Sequence, residues 1–237
     1  IPADGATYTA LQDISATTGR KLSVVHSLQR AVLRSGLAPQ EHLRSALDRK
    51  RRKELQRKRR RLEESGHFVF SRQTDETGID SWIDEFLALE RAGWKGEQGS
   101  AIASAPATEA LFRASLTEAA KLGKLERLAF HLDGRPVAML TSFVTSPHAF
   151  GFKTAYDESL SKLSPGMLLQ VENLAILECK SVTLSDSCAA PDHPMIGQIW
   201  PDRREIAMLT IPIGGRLRRG IGAALTAIEL YRTGKRQ

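Results

Sequence analysis

The sequence has few cysteines, no long apolar run and few aromatic residues, and these shortages narrow the possible classes of protein. Two cysteines, Cys179 and Cys188, are too few for a disulfide-stabilised scaffold and are typical of the reducing cytoplasm. No apolar run approaches the roughly 20 residues of a membrane-spanning helix. The first residues, Ile1 to Gly5, do not form a signal peptide. With 41% hydrophobic and 26% charged residues, the composition predicts a globular cytoplasmic protein without a membrane span.

Acidic and aromatic residues are especially scarce in residues 49–61, which hold ten basic residues and one acidic residue. The net charge of this segment is +9, whereas that of the whole chain is +7, so the remaining residues together are slightly negative. We expect one helix from Pro39 to about Ser65 to carry it. The segment is either a solvated helix anchored by a leucine stripe or a surface that contacts phosphate, RNA or an anionic membrane. The lack of aromatic residues argues against stacking on bases.

The N-terminal part of the chain shows no core of its own. Residues 21–26 and 30–33 are predicted to form two short strands. We expect residues 1–38 to be the C-terminal remnant of a preceding domain, residues 39–66 to form a basic connecting helix and residues 67–237 to form the main domain.

The main domain shows an ordered series of strands and helices. Hydrophobic periodicity and turn residues such as Asp133-Gly134 predict the following order. The expected elements are a strand at 67–71, helices from Asp80 or Ser81 to about Gly93 and from Thr108 to Leu122, strands at 125–131, 136–144 and 148–155, a helix at 167–179, strands at 181–184 and 206–213, and a terminal helix at about 221–231.

The junction before the helix at 167–179 is the strongest candidate for a binding site. Ser164 suits an N-cap and Pro165 the first helical position. Gly166 has no side chain, which allows a ligand close to the backbone, and Lys162 precedes the junction. Free N–H groups and the helix dipole favour an anion there. The simpler alternative is an ordinary capped helix.

The element order and three motifs resemble the GNAT acyltransferase superfamily. The motifs are Phe86-Leu87-Ala88-Leu89-Glu90-Arg91-Ala92-Gly93-Trp94-Lys95-Gly96, then Phe152-Lys153-Thr154-Ala155-Tyr156-Asp157-Glu158 with Ser164-Pro165-Gly166, and then Asp186-Ser187-Cys188 with Pro191-Asp192-His193-Pro194 and Trp200. They resemble the bacterial CelD-like acetyltransferases of cellulose biosynthesis, which are related to Fem-type aminoacyl transferases. The likeness covers about residues 45–213. Such proteins often contain two GNAT-like halves, so residues 1–38 would end the first.

The resemblance implies an α+β, three-layer α/β fold. It has a mixed, mostly antiparallel sheet with helices on both faces and a splayed central strand pair. The splayed strands would be residues 148–155 and 181–185, with the pantetheine arm of the donor between them and its pyrophosphate on residues 157–166. The implied reaction is direct transfer of an acyl group from acetyl-CoA or another acyl-CoA to an amine, without a covalent intermediate or a metal. The acceptor would be a small molecule, a peptide or a sugar amine.

The phosphate-binding turn departs from the GNAT pattern Arg/Gln-x-x-Gly-x-Gly/Ala, because Ser161 to Gly166 contain one glycine. This leaves two alternatives open: a Fem-type enzyme that uses aminoacyl-tRNA, and a non-catalytic GNAT-fold protein in exopolysaccharide production. A closer match at Arg218 to Ala223 is treated as a decoy, since no suitable strand precedes it.

The resemblance and the reactive side chains give a set of candidate site residues. The candidate catalytic residues are Asp157, Tyr156, Cys188, His193 and Asp186. The candidate donor-binding residues are Lys153, Lys162, Ser164, Gly166, Met167 and Leu168, and the candidate acceptor-binding residues are Trp94, Lys95 and Trp200. Asp157 would accept the amine proton, Tyr156 or Cys188 would protonate the leaving sulfur, and a backbone N–H near Lys153 to Ala155 would bind the oxyanion.

Each assignment has a simpler competitor. Tyr156 and Trp94 would pack with a satisfied polar tip, and Asp157 would form a turn. Two further alternatives concern Cys188 and His193. These two side chains would act as a nucleophilic pair in covalent catalysis. A metal site made of Cys188, Asp192 and His193 is the weaker alternative of the two, since a closed zinc site needs four ligands.

Overall fold

The computed structural model describes residues 1–34 and 36–234. Residues 35 and 235–237, which belong to the predicted N-terminal remnant and main domain, lie outside the described residues. The α-helices are α1 (Ala6–Thr17), α2 (Pro39–Ala46), α3 (Arg49–Glu64), α4 (Ile79–Ala92), α5 (Trp94–Glu97), α6 (Pro106–Lys121), α7 (Pro165–Asn173), α8 (Ile196–Ile199) and α9 (Arg216–Gly234). The strands are β1 (Ser23–Arg34), β2 (Phe68–Gln73), β3 (Leu125–Leu132), β4 (Arg135–Thr145), β5 (His148–Tyr156), β6 (Leu184–Asp186) and β7 (Asp202–Thr210). Short 3₁₀ helices lie at Ile102–Ser104, Glu158–Leu163 and Leu174–Glu178.

The chain forms two compact units. The smaller unit comprises Ile1–Ala31 and the chain from Asp202 onward, and the larger unit comprises Val32–Pro201. In the smaller unit β1 neighbours β7, and Arg204 Nε donates to Asp4 Oδ1 at 2.7 Å. The predicted division at residues 38 and 66 stays a prediction.

The sheet of the larger unit has the strand order β2-β3-β4-β5-β6 and then the last three residues of β1. All neighbouring pairs are antiparallel except β5 and β6, which are parallel. Phe152 of β5 has no partner on β4, because Thr141 pairs with Lys153 and Ser142 pairs with Gly151. This bulge lies in the middle of the predicted site, which is a common place for one.

Helices cover both faces of this sheet. Leu125 and Ala129 of β3 belong to the apolar cluster that α4 and α6 form with the sheet. Because side chains alternate along a strand, Phe130 faces the other way, where the guanidinium of Arg59 in α3 lies 4.7 Å from its ring centroid. On the face of α3, Gln170 of α7 donates to Thr154 Oγ1 of β5 at 3.4 Å. The predicted fold class, a mixed and mostly antiparallel sheet between helical layers, is confirmed.

The splayed strand pair is also confirmed. β5 pairs with β6 only from His148 with Leu184 to Phe150 with Asp186. β6 ends there, whereas β5 continues to Tyr156. The parting strands leave one edge of β5 without a strand partner, and this edge borders the candidate site.

The prediction of one helix from Pro39 to Ser65 is wrong. The chain forms α2 and α3, separated at Leu47 and Asp48, and Leu47 has an extended backbone. Asp48 is the N-cap of α3, and its Oδ1 accepts from the backbone N–H of Arg51 at 2.7 Å. A local cap of this kind starts a new helix, and the basic residues around it obscured the signal.

The predicted strands at 21–26 and 30–33 are one continuous strand, β1. α1 was missed because Ser15 is its one buried residue, so it lacks the apolar stripe that predicts a helix. The predicted helix at 167–179 begins at Pro165 and becomes a 3₁₀ helix at Leu174. Two strand positions were also shifted, since β6 spans Leu184–Asp186 and β7 spans Asp202–Thr210.

Candidate active site

Two adjoining cavities lie along the free edge of β5. The smaller cavity, about 230 Å³, is lined by residues 151–154 of β5 and residues 187–189 after β6. The larger cavity, about 780 Å³, lies beside the first turn of α7 and one face of α3. Both cavities are lined in part by Lys95, Thr154, His193 and Met195. The shared residues make the two cavities parts of one groove.

Gly151 marks the point where the strands separate. A Cβ atom at this position would lie 2.8 Å from the carbonyl oxygen of Ser187, so only glycine allows the backbone of the two segments to approach this closely. Beyond it, Lys153 and Thr154 line the smaller cavity. The β5 edge therefore borders a cavity at these residues.

The first turn of α7 differs from the prediction in two respects. Ser164 is the N-cap residue, but with φ of 54° it makes no side-chain capping bond, because capping normally needs an extended backbone. Its hydroxyl instead accepts from Lys58 Nζ at 2.8 Å. The space beside Gly166 is filled by the ring of Tyr156, whose Cδ1 would lie 2.9 Å from a Cβ atom. Gly166 thus accommodates a protein side chain, while Ser164, Gly166 and Met167 still line the larger cavity.

His193 lies where the two cavities meet. Its Nδ1 accepts from the backbone N–H of Ile196 at 3.3 Å, so the neutral ring carries its proton on Nε2. Cys188 lines the smaller cavity, is exposed and has φ of 50°. Its backbone N–H donates to Oδ1 of the buried Asp186 at 2.8 Å, so Asp186 shapes the loop that carries Cys188.

The Trp94-Lys95 corner forms part of the walls of both cavities. Lys95 Nζ donates to Oε1 of the buried Glu90 at 2.7 Å. The backbone N–H of Trp94 donates to Glu158 Oε1 at 2.9 Å, and its indole is half exposed on the larger cavity. Trp200 is fully buried and lines the smaller cavity. An ion pair and two indoles therefore shape the groove at this end.

Most of the candidate residues named from the sequence lie on the groove. Those that line a cavity are Trp94, Lys95, Lys153, Tyr156, Ser164, Gly166, Met167, Cys188, His193 and Trp200. Asp157, Lys162, Leu168 and Asp186 line neither of these two cavities. Asp157 Oδ1 accepts from Ser159 N at 2.9 Å and from Ser159 Oγ at 2.6 Å, which is the turn-forming role given as the alternative. The functional roles of all these candidate residues stay predictions.

Sequence reasoning missed several polar residues of the groove. Gln170 and Asn173 are buried on the mostly apolar helix α7 and line the smaller cavity, and Asn173 Nδ2 donates to Gln170 Oε1 at 3.3 Å. Their three-residue spacing, which places both on one side of the helix, was the available signal. Glu54 lines the larger cavity, and the hydrogen bond from Arg57 holds the pKa of its carboxyl below the ordinary value. Glu54 is therefore an ionised side chain on that wall.

Residues 1–34 and 36–234 contain neither a membrane-spanning helix nor a cluster of metal-ligating side chains. No described helix is both long and apolar enough to cross a membrane. Within the same residues, His, Cys, Asp and Glu side chains form no group of three or more that is arranged to hold a metal ion.

Comparisons with solved structures place the fold among known proteins. The C-terminal domain of a putative lysylphosphatidylglycerol synthetase from Agrobacterium fabrum matches with a TM-score of 0.56 and 14% identity, over 93% of this chain and 68% of that one. A conserved protein of unknown function from Bacteroides thetaiotaomicron matches with a TM-score of 0.57 and 11% identity, over 84% and 67%. FemX matches with a TM-score of 0.54 and 11% identity, over 88% and 70%. At these identities the likeness concerns the fold alone.

The sequence was matched by a family model but by no curated protein. A family model described as an acetyltransferase (GNAT) domain matches residues 49–177, which are more than half of the sequence and include the basic helix, β5 and α7. The chain belongs to the GNAT acetyltransferase family.

Proposed function

We propose that the protein is an N-acyltransferase that moves an acyl group from acetyl-CoA or another acyl-CoA directly to an amine. The observation that carries this proposal is the parting of β5 and β6 beyond Phe150 and Asp186, with the two adjoining cavities at the gap. The nucleotide end of the donor would occupy the larger cavity. Its thioester and the acceptor amine would meet in the smaller one.

The groove can supply the few groups that this reaction needs. The neutral amine attacks the thioester carbonyl, the C–N bond forms, and the C–S bond then breaks. Backbone N–H groups on the edge of β5 that has no strand partner would stabilise the oxyanion. The Nε2–H of neutral His193 would donate a hydrogen bond to the departing thiolate, which takes its proton from water, and water in the open groove would also take the proton of the amine. His193 is favoured over Asp157 and Asp186 because it lies on both cavities.

Cys188 offers a covalent route, since it lies on the same cavity as His193. We favour direct transfer, because both substrates can meet in one groove and no acyl-enzyme is then needed. On this proposal Cys188 and Tyr156 shape the groove, and Trp94, Lys95 and Trp200 contact the acceptor. Acyl-CoA chemistry and two free cysteines both suit the cytoplasm, where we place the reaction.

A Fem-type reaction with aminoacyl-tRNA is the second candidate. Arg51 and Lys58 of the basic helix α3 line the larger cavity. Their positive charge at this place favours an RNA-bearing donor. A phosphodiester backbone would be held by the same charges. We also propose that the chain lies closer to the CelD-like branch than to ordinary GNAT enzymes, because its motifs at residues 86–96, 152–166 and 186–200 resemble that branch.

The test is a donor assay on the purified protein. Release of free thiol from acetyl-CoA is followed with a panel of small-molecule, peptide and sugar amines, alongside transfer from charged tRNA. We expect amine-dependent thiol release and a rise in melting temperature with CoA. Absence of both, together with transfer from aminoacyl-tRNA, would establish the Fem-type reaction. Absence of transfer from either donor would indicate a non-catalytic GNAT-fold protein, as in exopolysaccharide production.

A further inference from the structure

One face of the basic helix α3 forms a wall of the larger cavity. The residues of α3 on this wall are Arg51, Glu54, Leu55 and Lys58. Their spacing of three, four and seven residues places them on one side of a helix. Leu55 is buried and fixes the orientation of that side. Of the ten cations in residues 49–61, Arg51 and Lys58 therefore have a distinct position.

Other cations of α3 already have partners. Arg57 binds both carboxylate oxygens of Glu54, at 2.8 and 2.7 Å. Arg59 pairs with Glu63 at 2.7 Å and with Glu172 at 3.0 Å. Their charges are compensated within the protein, so a ligand gains little from them.

Arg51 and Lys58 are held by neutral groups instead. Arg51 Nη2 donates to Gln198 Oε1 at 2.6 Å, and Lys58 Nζ donates to Ser164 Oγ at 2.8 Å. Gln198 follows the loop after β6, whereas Ser164 precedes α7, and both line the same cavity. Neither cation has a side-chain carboxylate oxygen within 4.0 Å among the described residues. The cavity wall thus has two cations whose direct partners are neutral, beside the ionised Glu54, whose two carboxylate oxygens are both bound by Arg57.

We propose that Arg51 and Lys58 bind the diphosphate group of a nucleotide-bearing thioester donor. Each cation keeps unused donor atoms, and hydrogen bonds from a cation to phosphate are about twice as strong as neutral ones. The two cavities share Thr154 and His193. A donor held by its diphosphate at Lys58 can therefore extend its thioester towards the gap between β5 and β6. This inference rests on the proposed acyl transfer and names the residues that would select a CoA thioester over a shorter one.

The experiment compares two donors and matched variants. Acetyl-CoA carries the diphosphate, and acetyl-pantetheine carries the same thioester arm without it. The variants are Lys58→Ala, Arg51→Ala and Lys58→Arg, with Lys53→Ala as the control, because Lys53 is an exposed cation of the same helix outside the larger cavity. Alanine is a strong helix former, so these variants should fold. Binding of CoA is measured by calorimetry and transfer by steady-state kinetics.

We expect Lys58→Ala and Arg51→Ala each to raise the Kd of CoA and the KM of acetyl-CoA about tenfold, the effect of one charged hydrogen bond. The values of kcat and all parameters for acetyl-pantetheine should change little, and Lys58→Arg should restore most of the affinity. Lys53→Ala should leave all of these values near those of the native protein.

Equal losses with both donors, or an equal effect of Lys53→Ala, would overturn the inference. Native transfer from acetyl-CoA that is indifferent to Lys58 and Arg51 would overturn it while leaving the proposed function standing. CoA binding that depends on Lys58 without any acyl transfer would overturn the proposed function instead. If the native protein does not bind CoA at all, the inference also falls.

Discussion

The ammonium nitrogen of Lys95 lies 2.7 Å from Oε1 of Glu90, and this carboxylate is almost completely buried. Oε2 of the same group accepts from the backbone N–H of Ile102 at 2.8 Å. One carboxylate thus connects the end of α4, the Lys95 side chain at the groove and the 3₁₀ helix that begins at Ile102. The contact explains why the corner after α4 keeps Lys95 on both cavities.

Glu90→Ala should destabilise the protein by about 2–4 kcal/mol, because it leaves the buried N–H of Ile102 and the charge of Lys95 without their acceptor. Chemical denaturation measures the loss. The matched control is Glu118→Ala, which removes an exposed pair with Lys121 and should change stability little, since water screens such pairs. Equal costs for the two variants would contradict the anchoring role of Glu90.

Gly96→Ala should destabilise the protein by about 3 kcal/mol through overpacking. A Cβ atom at Gly96 would lie 1.8 Å from the carbonyl oxygen of Arg91, so the corner has to shift. Gly220→Ala is the control, because nothing lies within 4 Å of a Cβ there and the position is inside α9. That change should stabilise the helix by about 0.5–1 kcal/mol. Thermal melts should show a lower melting temperature for Gly96→Ala and a higher one for Gly220→Ala than for the native protein.

Glu126→Gln should change the pH dependence of stability. Burial raises the pKa of Glu126, and the nearby Arg72 opposes this shift only in part. Between the ordinary pKa and the raised one, the folded protein holds a proton that the unfolded chain has lost. The free energy of unfolding contributed by this group therefore falls as pH increases through that window.

Denaturation of the native protein and of Glu126→Gln from pH 4 to pH 8 tests this point. The stability of the variant relative to the native protein should increase as pH rises from about the model-peptide value for glutamate, roughly 4.3. A relative stability that is constant with pH would show that Glu126 does not retain its proton on folding. Glu118→Gln, an exposed carboxyl change, serves as the control.

His193→Ala should lower kcat for acetyl transfer by about a hundredfold, the usual effect of removing one preorganised hydrogen-bond donor to the charge that develops in the transition state. Cys188→Ala should leave kcat near the native value, because direct transfer needs no thiol nucleophile. Intact-protein mass spectrometry after exposure to acetyl-CoA should show no acyl adduct at Cys188. An adduct that disappears in Cys188→Ala, with loss of activity, would establish the covalent route instead.

Strong local patterns made much of the larger unit predictable. The apolar alternation of β3, β4 and β5 and the turn at Asp133-Gly134 gave strand bounds within one residue of those observed. The apolar stripes of α4 and α6 likewise gave their positions. By contrast, α1 buries almost nothing, and the break before α3 depends on one short hydrogen bond from the backbone N–H of Arg51 to the side chain of Asp48. Neither feature has a periodic signal in the sequence.

The candidate site was predicted less completely than the fold. His193, Cys188 and Lys95 were named from motifs, and the structure brings all three to the smaller cavity. Lys58 and Ser164 are 106 residues apart in the sequence, and their 2.8 Å contact exists only because α3 packs beside α7. Such pairs depend on tertiary packing, which local sequence patterns do not encode.

The three-residue length of β6 leaves one wall of the groove outside the sheet. Because pairing with β5 stops at Asp186, the opposite wall of the gap is a loop whose backbone is not committed to the sheet. Insertions or replacements between Ser187 and Met195 can therefore resize the smaller cavity while the strand ladder remains intact.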